Sequence, residues 1–175
     1  MNNSDLGRVP NSAEVADKLA IIEIIHAYAR GVDRADADLL KATCWEDATL
    51  DYGFFKGDAH PFLAQLVVGL QQHVNTQHQI SNELIMLEGD SARSECYLTA
   101  HHHRADNTEM TYIGRYFDVL QKRDGVWKIL NRRIVMTWHQ DVAMTEDFAK
   151  NGSLAAVARA TNHPDDPSWD FFNAN

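Results

Sequence analysis

Cysteine is scarce in this chain: Cys44 and Cys96 are the only two among 175 residues. So few thiols, so far apart, exclude a disulfide framework and a cysteine-rich zinc site, and both read as reduced, buried side chains. Glycine and proline are also few, at 9 and 4, and neither a repeat nor a low-complexity linker is present. No apolar run approaches the roughly 18 residues that a membrane span needs. Residues 1–15, MNNSDLGRVPNSAEV, lack the basic and apolar regions of a signal peptide, so a cytoplasmic location is expected. Positive charge is in deficit. Lys and Arg total 16 against 25 Asp and Glu, a formal charge of −9. That field repels phosphate backbones, so neither nucleic acid nor an anionic membrane is an expected partner. No phosphate-binding glycine loop, nucleotide fingerprint or Gly-x-Ser-x-Gly elbow occurs.

What is present suits one domain with one sizeable core: 45% of residues are apolar and 23% charged. Helical signals come first. Asn11 with Glu14 fits a capping box. Beyond it Val15, Leu19 and Ile22 recur at helical spacing beside Ile21, Ile25 and Tyr28, which predicts the core face. Gly31 is expected to end or loosen this helix. A short second helix is expected over 36–43 and a short strand over 48–52. A third helix follows, with Asp58 as N-cap, Pro61 in its first turn, and Phe62, Leu66 and Leu70 on one side.

Residues 76–88, 92–104, 109–122 and 126–138 then read as four long strands. The Asp124-Gly125 turn is the strongest hairpin signal. Helices followed by an antiparallel meander predict an α+β domain with helices on one face of a curved sheet. Residues 1–11 are expected to be a flexible N-terminus and 12–140 the domain. Residues 141–175 are expected to form a tail that covers a pocket or a neighbouring subunit, because Phe148, Leu154, Val157, Trp169, Phe171 and Phe172 are too apolar for a linker.

Chemistry gathers around a few polar residues. The stretch YARGVD, 28–33, ends the first helix with a phenol and a carboxylate; His78 lies near the start of a strand in TQHQIS. Apart, Asp33 reads as a helix-end carboxylate and His78 as a hydrogen-bonded structural histidine. Together they are a dyad: a carboxylate on one ring nitrogen fixes the tautomer and strengthens the other nitrogen as a base. Such a pair removes a proton without metal or cofactor. In HHHR, 101–104, His101 and His103 share one strand face and His102 takes the other. Two histidines at i and i+2 lack a third ligand, so no metal is expected. Among the sheet aromatics, Phe54 and Tyr116 are candidates to line an aromatic pocket, whereas Trp127 reads as packing. The acids Asp36, Asp38, Glu46 and Asp47 read as a solvated face.

A long first helix, the Y-x4-D pattern Tyr28–Asp33, Tyr52, His78 and a meander ending in DGVWKI resemble the SnoaL-like branch of the nuclear-transport-factor-2-like superfamily. Members close in pattern include scytalone dehydratase, bile-acid 7α-dehydratase and hexachlorocyclohexane dehydrochlorinase. The resemblance implies a cone-shaped fold with a pocket at one end and cofactor-free catalysis. It places Asp33 on the aspartate that orients the catalytic histidine, and His78 on that histidine. Tyr52 falls on a pocket tyrosine that polarises the substrate oxygen. Tyr28 falls on a tyrosine of the bile-acid enzyme, where the dehydrochlorinase has lysine. Arg132 falls on an arginine that stabilises a departing anion. A one-residue register error would exchange it for Arg133, and strand alternation lets only one of the two face the pocket. If the Ala100 face is inward, His102 is the inward histidine and offers a proton or hydrogen bond to the leaving oxygen.

The expected function is a cofactor-independent lyase, dehydratase-like, acting on a small apolar, aromatic or polycyclic molecule in aromatic catabolism. An isomerase or a ligand-binding cone uses the same parts. Small subunits of ring-hydroxylating dioxygenases share this fold without chemistry of their own, which is the alternative. The expected partners are a small-molecule substrate and further copies of the chain, as a homotrimer.

Overall fold

The computed structural model describes residues 7–145 and 152–174. The predicted Phe148 contact lies outside these residues, as do positions 1–6 of the expected flexible N-terminus. Helix α1 runs Ser12–Asp33, α2 Ala37–Ala42, β1 Cys44–Asp51, β2 Lys56–Asp58, α3 Ala59–Leu70, β3 His73–Glu88, β4 Ser91–Arg104, β5 Thr108–Arg123, β6 Val126–Ala143 and α4 Pro167–Asn173. This is the α+β architecture expected: N-terminal helices packed on a curved six-stranded sheet of order β2-β1-β6-β5-β4-β3. Strands β3 to β6 form an antiparallel meander, and β1 joins its far edge parallel to β6.

Local chemistry explains the boundaries. Asn11 accepts the Glu14 N–H while the Glu14 carboxylate accepts the Asn11 N–H, so the capping box closes α1 at its start. At its end Ala35 takes a positive φ of 49° and turns the chain into α2. Gly31 does not end the helix. A Cβ there would stand 2.8 Å from Leu40 Cγ, so the glycine lets α2 pack directly on α1. Asp58 occupies the N-cap of α3 but makes no side-chain cap bond. The Asp124-Gly125 turn forms as predicted, both residues at positive φ.

The core face of α1 differs from the predicted stripe. Ile21, Ile25, Tyr28, Ala29 and Val32 are buried, but Val15 and Leu19 are exposed. The first turns present Asp17 inward instead. Its carboxylate accepts hydrogen bonds from Trp127 Nε1 (2.8 Å) and Lys122 Nζ (3.0 Å), which hold it below the usual carboxylate range. Trp127 is therefore packed and also bonded to the helix. Both cysteines are buried and free, and burial pushes the Cys96 thiol up to about 12.

The described tail docks on the end of α1. The His163 N–H donates to the Arg34 carbonyl (2.7 Å), Asp166 pairs with Arg34 Nε (3.2 Å), and Arg30 donates to Ser168 Oγ (3.1 Å). None of the described tail residues lines the hollow between α3 and the meander.

Two register shifts bend β6 against β5, one at Ile113/Gly114 and one at Val119/Leu120. At the first, a Cβ on Gly114 would stand 2.5 Å from the Val135 carbonyl oxygen and 2.7 Å from the Tyr112 ring. Gly114→Ala is therefore expected to destabilise the fold by about 1–3 kcal/mol, read from urea denaturation midpoints.

Candidate active site

Asp33 is the last residue of α1, and its carboxylate reaches across to β3. Oδ1 lies 2.6 Å from His78 Nδ1 and accepts from Thr76 Oγ1 (3.1 Å), while Oδ2 accepts the His78 backbone N–H (2.9 Å). Both side chains are nearly buried, at 6% and 12% exposure for His78 and Asp33. Alternation along β3 explains the convergence. Thr76 and His78 share one face, so a single acid bridges both and the peptide between them. With Nδ1 committed to Asp33, Nε2 is the nitrogen left for the cavity that His78 lines.

That cavity has a volume of about 800 Å³ and lies between α3 and the inner face of the meander. Tyr52, Phe54, His78, His102 and Tyr116 all line it; so does His73, which sequence reasoning passed over. Ala100 is buried and faces inward, opposite His78 in register, so His102 is the inward member of the histidine run. Its ring stands edge-on to those of His78 and His73, each centroid 5.4 Å away. Burial first, then these two neighbouring rings, pushes its pKa down to about 3. His102 Nδ1 is buried without a hydrogen-bond partner among the described residues. His101 turns outward to Glu109 (2.6 Å). Among the described residues, no three His, Cys, Asp or Glu side chains converge to hold a metal ion.

Beneath the cavity lies a polar floor. The Tyr28 and Tyr52 hydroxyls meet at 2.5 Å, and Tyr52, just past the end of β1, carries this pair to the cavity wall. Tyr28 itself is fully buried. Arg132 does not line the cavity as expected. It is 0% exposed, its Nε and Nη2 each 2.7 Å from Asp118, its guanidinium 4.1 Å from the ring centres of both Tyr28 and Tyr116. Arg133 points outward to Asp51 (3.3 Å), so neither of the two arginines lines the hollow. Burial raises the pKa of all three tyrosines, so the phenols stay protonated donors. Burial opposes the Arg132 charge, yet the Asp118 carboxylate holds the guanidinium protonated.

Sequence reasoning also missed Asp118 and Thr76. Thr76 had a findable signal, two residues before His78 on the same face. Asp118 did not, because counting from the Asp-Gly turn pairs it with Asn131; the bulge in β6 moves the partner to Arg132.

A hollow α+β cone with an aspartate-oriented histidine on its wall defines a class of small pocket domains. The chain belongs to the SnoaL-like domain family of the nuclear-transport-factor-2-like superfamily, whose model matches residues 13–133. Among solved structures, a Novosphingobium aromaticivorans protein provisionally assigned as a scytalone dehydratase superposes with a TM-score of 0.69. It is 23% identical over 75% of this chain and 91% of its own. The hexachlorocyclohexane dehydrochlorinase LinA-type3 of Novosphingobium barchaimii superposes with a TM-score of 0.68. It is 20% identical over 74% of this chain and 92% of its own. At these identities the likeness establishes the fold. No curated protein sequence matches the chain.

Two outcomes follow from the buried charges. Arg132→Met leaves the Asp118 carboxylate buried and unpaired and is expected to cost about 3–5 kcal/mol in urea unfolding, with Arg132→Met/Asp118→Leu recovering a substantial part. His102 titrates at about 3 when folded, against an ordinary 6.5. The unfolded chain takes up the proton first, so this contribution to stability is complete above about 6.5 and is lost as pH falls toward 3. His102→Gln, which cannot titrate, is expected to lose less stability than the native chain between about pH 7 and 4.5 in the same assay.

Proposed function

We propose that this protein is a cofactor-independent lyase that eliminates water from a small apolar, aromatic or polycyclic substrate. The observation that carries the reading is the 2.6 Å contact of Asp33 with His78 on the wall of an 800 Å³ cavity. His78 Nε2 takes a proton from a carbon next to the substrate's carbonyl. Negative charge then grows on the carbonyl oxygen, where the Tyr52 hydroxyl, backed by Tyr28, donates a hydrogen bond. Asp33 stabilises the imidazolium without taking its proton. The neighbouring hydroxyl leaves with the proton returned from His78, so water departs and the base is restored. His102 is uncharged at neutral pH, which suits a hydrogen-bond partner for the leaving oxygen and not the source of its proton.

The same dyad serves an isomerase if the proton returns to carbon. A formed hollow with an oriented base favours an enzyme over the supporting subunit of a dioxygenase. The test is turnover on a panel of cyclic aromatic β-hydroxyketones in heavy water, followed by mass spectrometry. His78→Ala and Asp33→Asn are each expected to lower dehydration by at least ~10²-fold, the usual contribution of base catalysis, with unchanged circular dichroism. Undiminished turnover in both variants refutes the dyad.

A further inference from the structure

The cavity has ample polar groups but no fixed charge. Among the described residues that line it, the polar side chains are tyrosines, histidines and Gln65; none is Lys, Arg, Asp or Glu. Two ionic groups, Asp33 and Arg132, stand behind the wall and do not line it. Asp33 lies behind His78 and already accepts three hydrogen bonds, and Arg132 is held by Asp118 beneath the tyrosines. Two of the wall histidines are held neutral: burial lowers both, with His78 and His73 acting further on His102 and Arg104 on His73. Among the described lining residues the most exposed ring is Phe54, 82% exposed and 6.0 Å from the Tyr52 ring.

From this we infer that the site takes only uncharged ligands and rejects carboxylates, phosphates and ammonium ions that carry the same apolar body. The inference rests on the cavity being the substrate site, and it narrows the substrate class within that reading. A carboxylate entering this hollow sheds its water and finds no lysine or arginine among the described lining residues. Neutral hydrogen bonds do not replace the solvation of an ion in a low-dielectric enclosure, and the group cannot neutralise itself cheaply at neutral pH. The surrounding field adds to the barrier, since the chain carries a net charge of −9. An ammonium fares little better, because His78 stands between it and Asp33. An alcohol or ketone keeps its hydrogen bonds through the Tyr52 and Tyr112 hydroxyls or the imidazoles and leaves no ion unpaired.

Three probes of one shape test this: anthracene-9-methanol, anthracene-9-carboxylate and 9-(aminomethyl)anthracene as its ammonium ion. Each is titrated by fluorescence at neutral pH into the native chain and into His78→Ala. The alcohol is expected to bind both proteins and the carboxylate to bind each at least ~100-fold more weakly, the scale of an uncompensated buried ion; the ammonium is expected to be as weak on the native chain and to gain affinity in His78→Ala, where Asp33 is uncovered. Met136→Lys adds a cation to the rim of the cavity at a half-exposed position. It is expected to raise carboxylate affinity at least ~10-fold relative to that of the alcohol, as one added ion pair allows. Comparable binding of either ion to the native chain, no binding of the alcohol, or no response to Met136→Lys overturns the inference. Because His78→Ala cannot act as a base, these titrations can fail while the dyad stands, and the dyad can fail while they hold.

Discussion

The site depends on one carboxylate serving two layers at once. Asp33 sits where α1 ends, a poor place for a negative charge because the helix dipole already concentrates its negative end there. Three hydrogen bonds from β3 offset that penalty, one of them from the strand's own backbone. Each hydrogen bond to a charged group contributes roughly 1.5–3 kcal/mol. The acid is thus a fastening between the helical layer and the sheet before it is anything chemical. The imidazole is oriented as a by-product of that fastening, because its N–H is one of the three donors.

The hollow above this joint lacks the packing that a filled core supplies, so cohesion has to come from elsewhere. Part comes from the apolar contacts of α1, α2 and β1, centred on Ile21, Ile25, Leu40 and Leu50, all fully buried. The rest of the floor is ionic. Arg132 and Asp118 form a two-pronged pair whose cation is capped on both sides by phenol rings. A guanidinium suits the position because it is planar, weakly hydrated and able to stack while bonding in its own plane. The floor in turn holds the two phenols at the angle from which Tyr52 reaches the wall.

Much of this was readable beforehand, and the failures have physical causes. The capping box at Asn11 and Glu14 and the Asp-Gly hairpin are local devices, so the sequence carries them whole. The meeting of Asp33 with His78 is not local; resemblance to a family suggested it, and residue spacing alone did not. The α1 stripe was misread at Val15 and Leu19 because Asp17, a polar residue, is drawn inward by the indole and ammonium groups of β5 and β6. Gly31 looked like a helix end, but only the tertiary approach of Leu40 reveals its purpose. The facing of Arg132 was undecidable by alternation. Trp127 and Ile129 set a phase that continues to Asn131 and Arg133, and a bulge resets it. Bulges leave no composition signature, which is why register beyond them escapes a reader of the sequence.

The separation of floor from wall shapes how such a domain can acquire new specificity. Met110, Ile134 and Met136 border the hollow without belonging to the joint at Asp33 or the ion pair below. Methionine is pliant, and neighbours settle around its replacements with little strain. Lineages can therefore re-cut the upper cup for a different guest by exchanging these side chains, one at a time, while the machinery underneath is inherited intact.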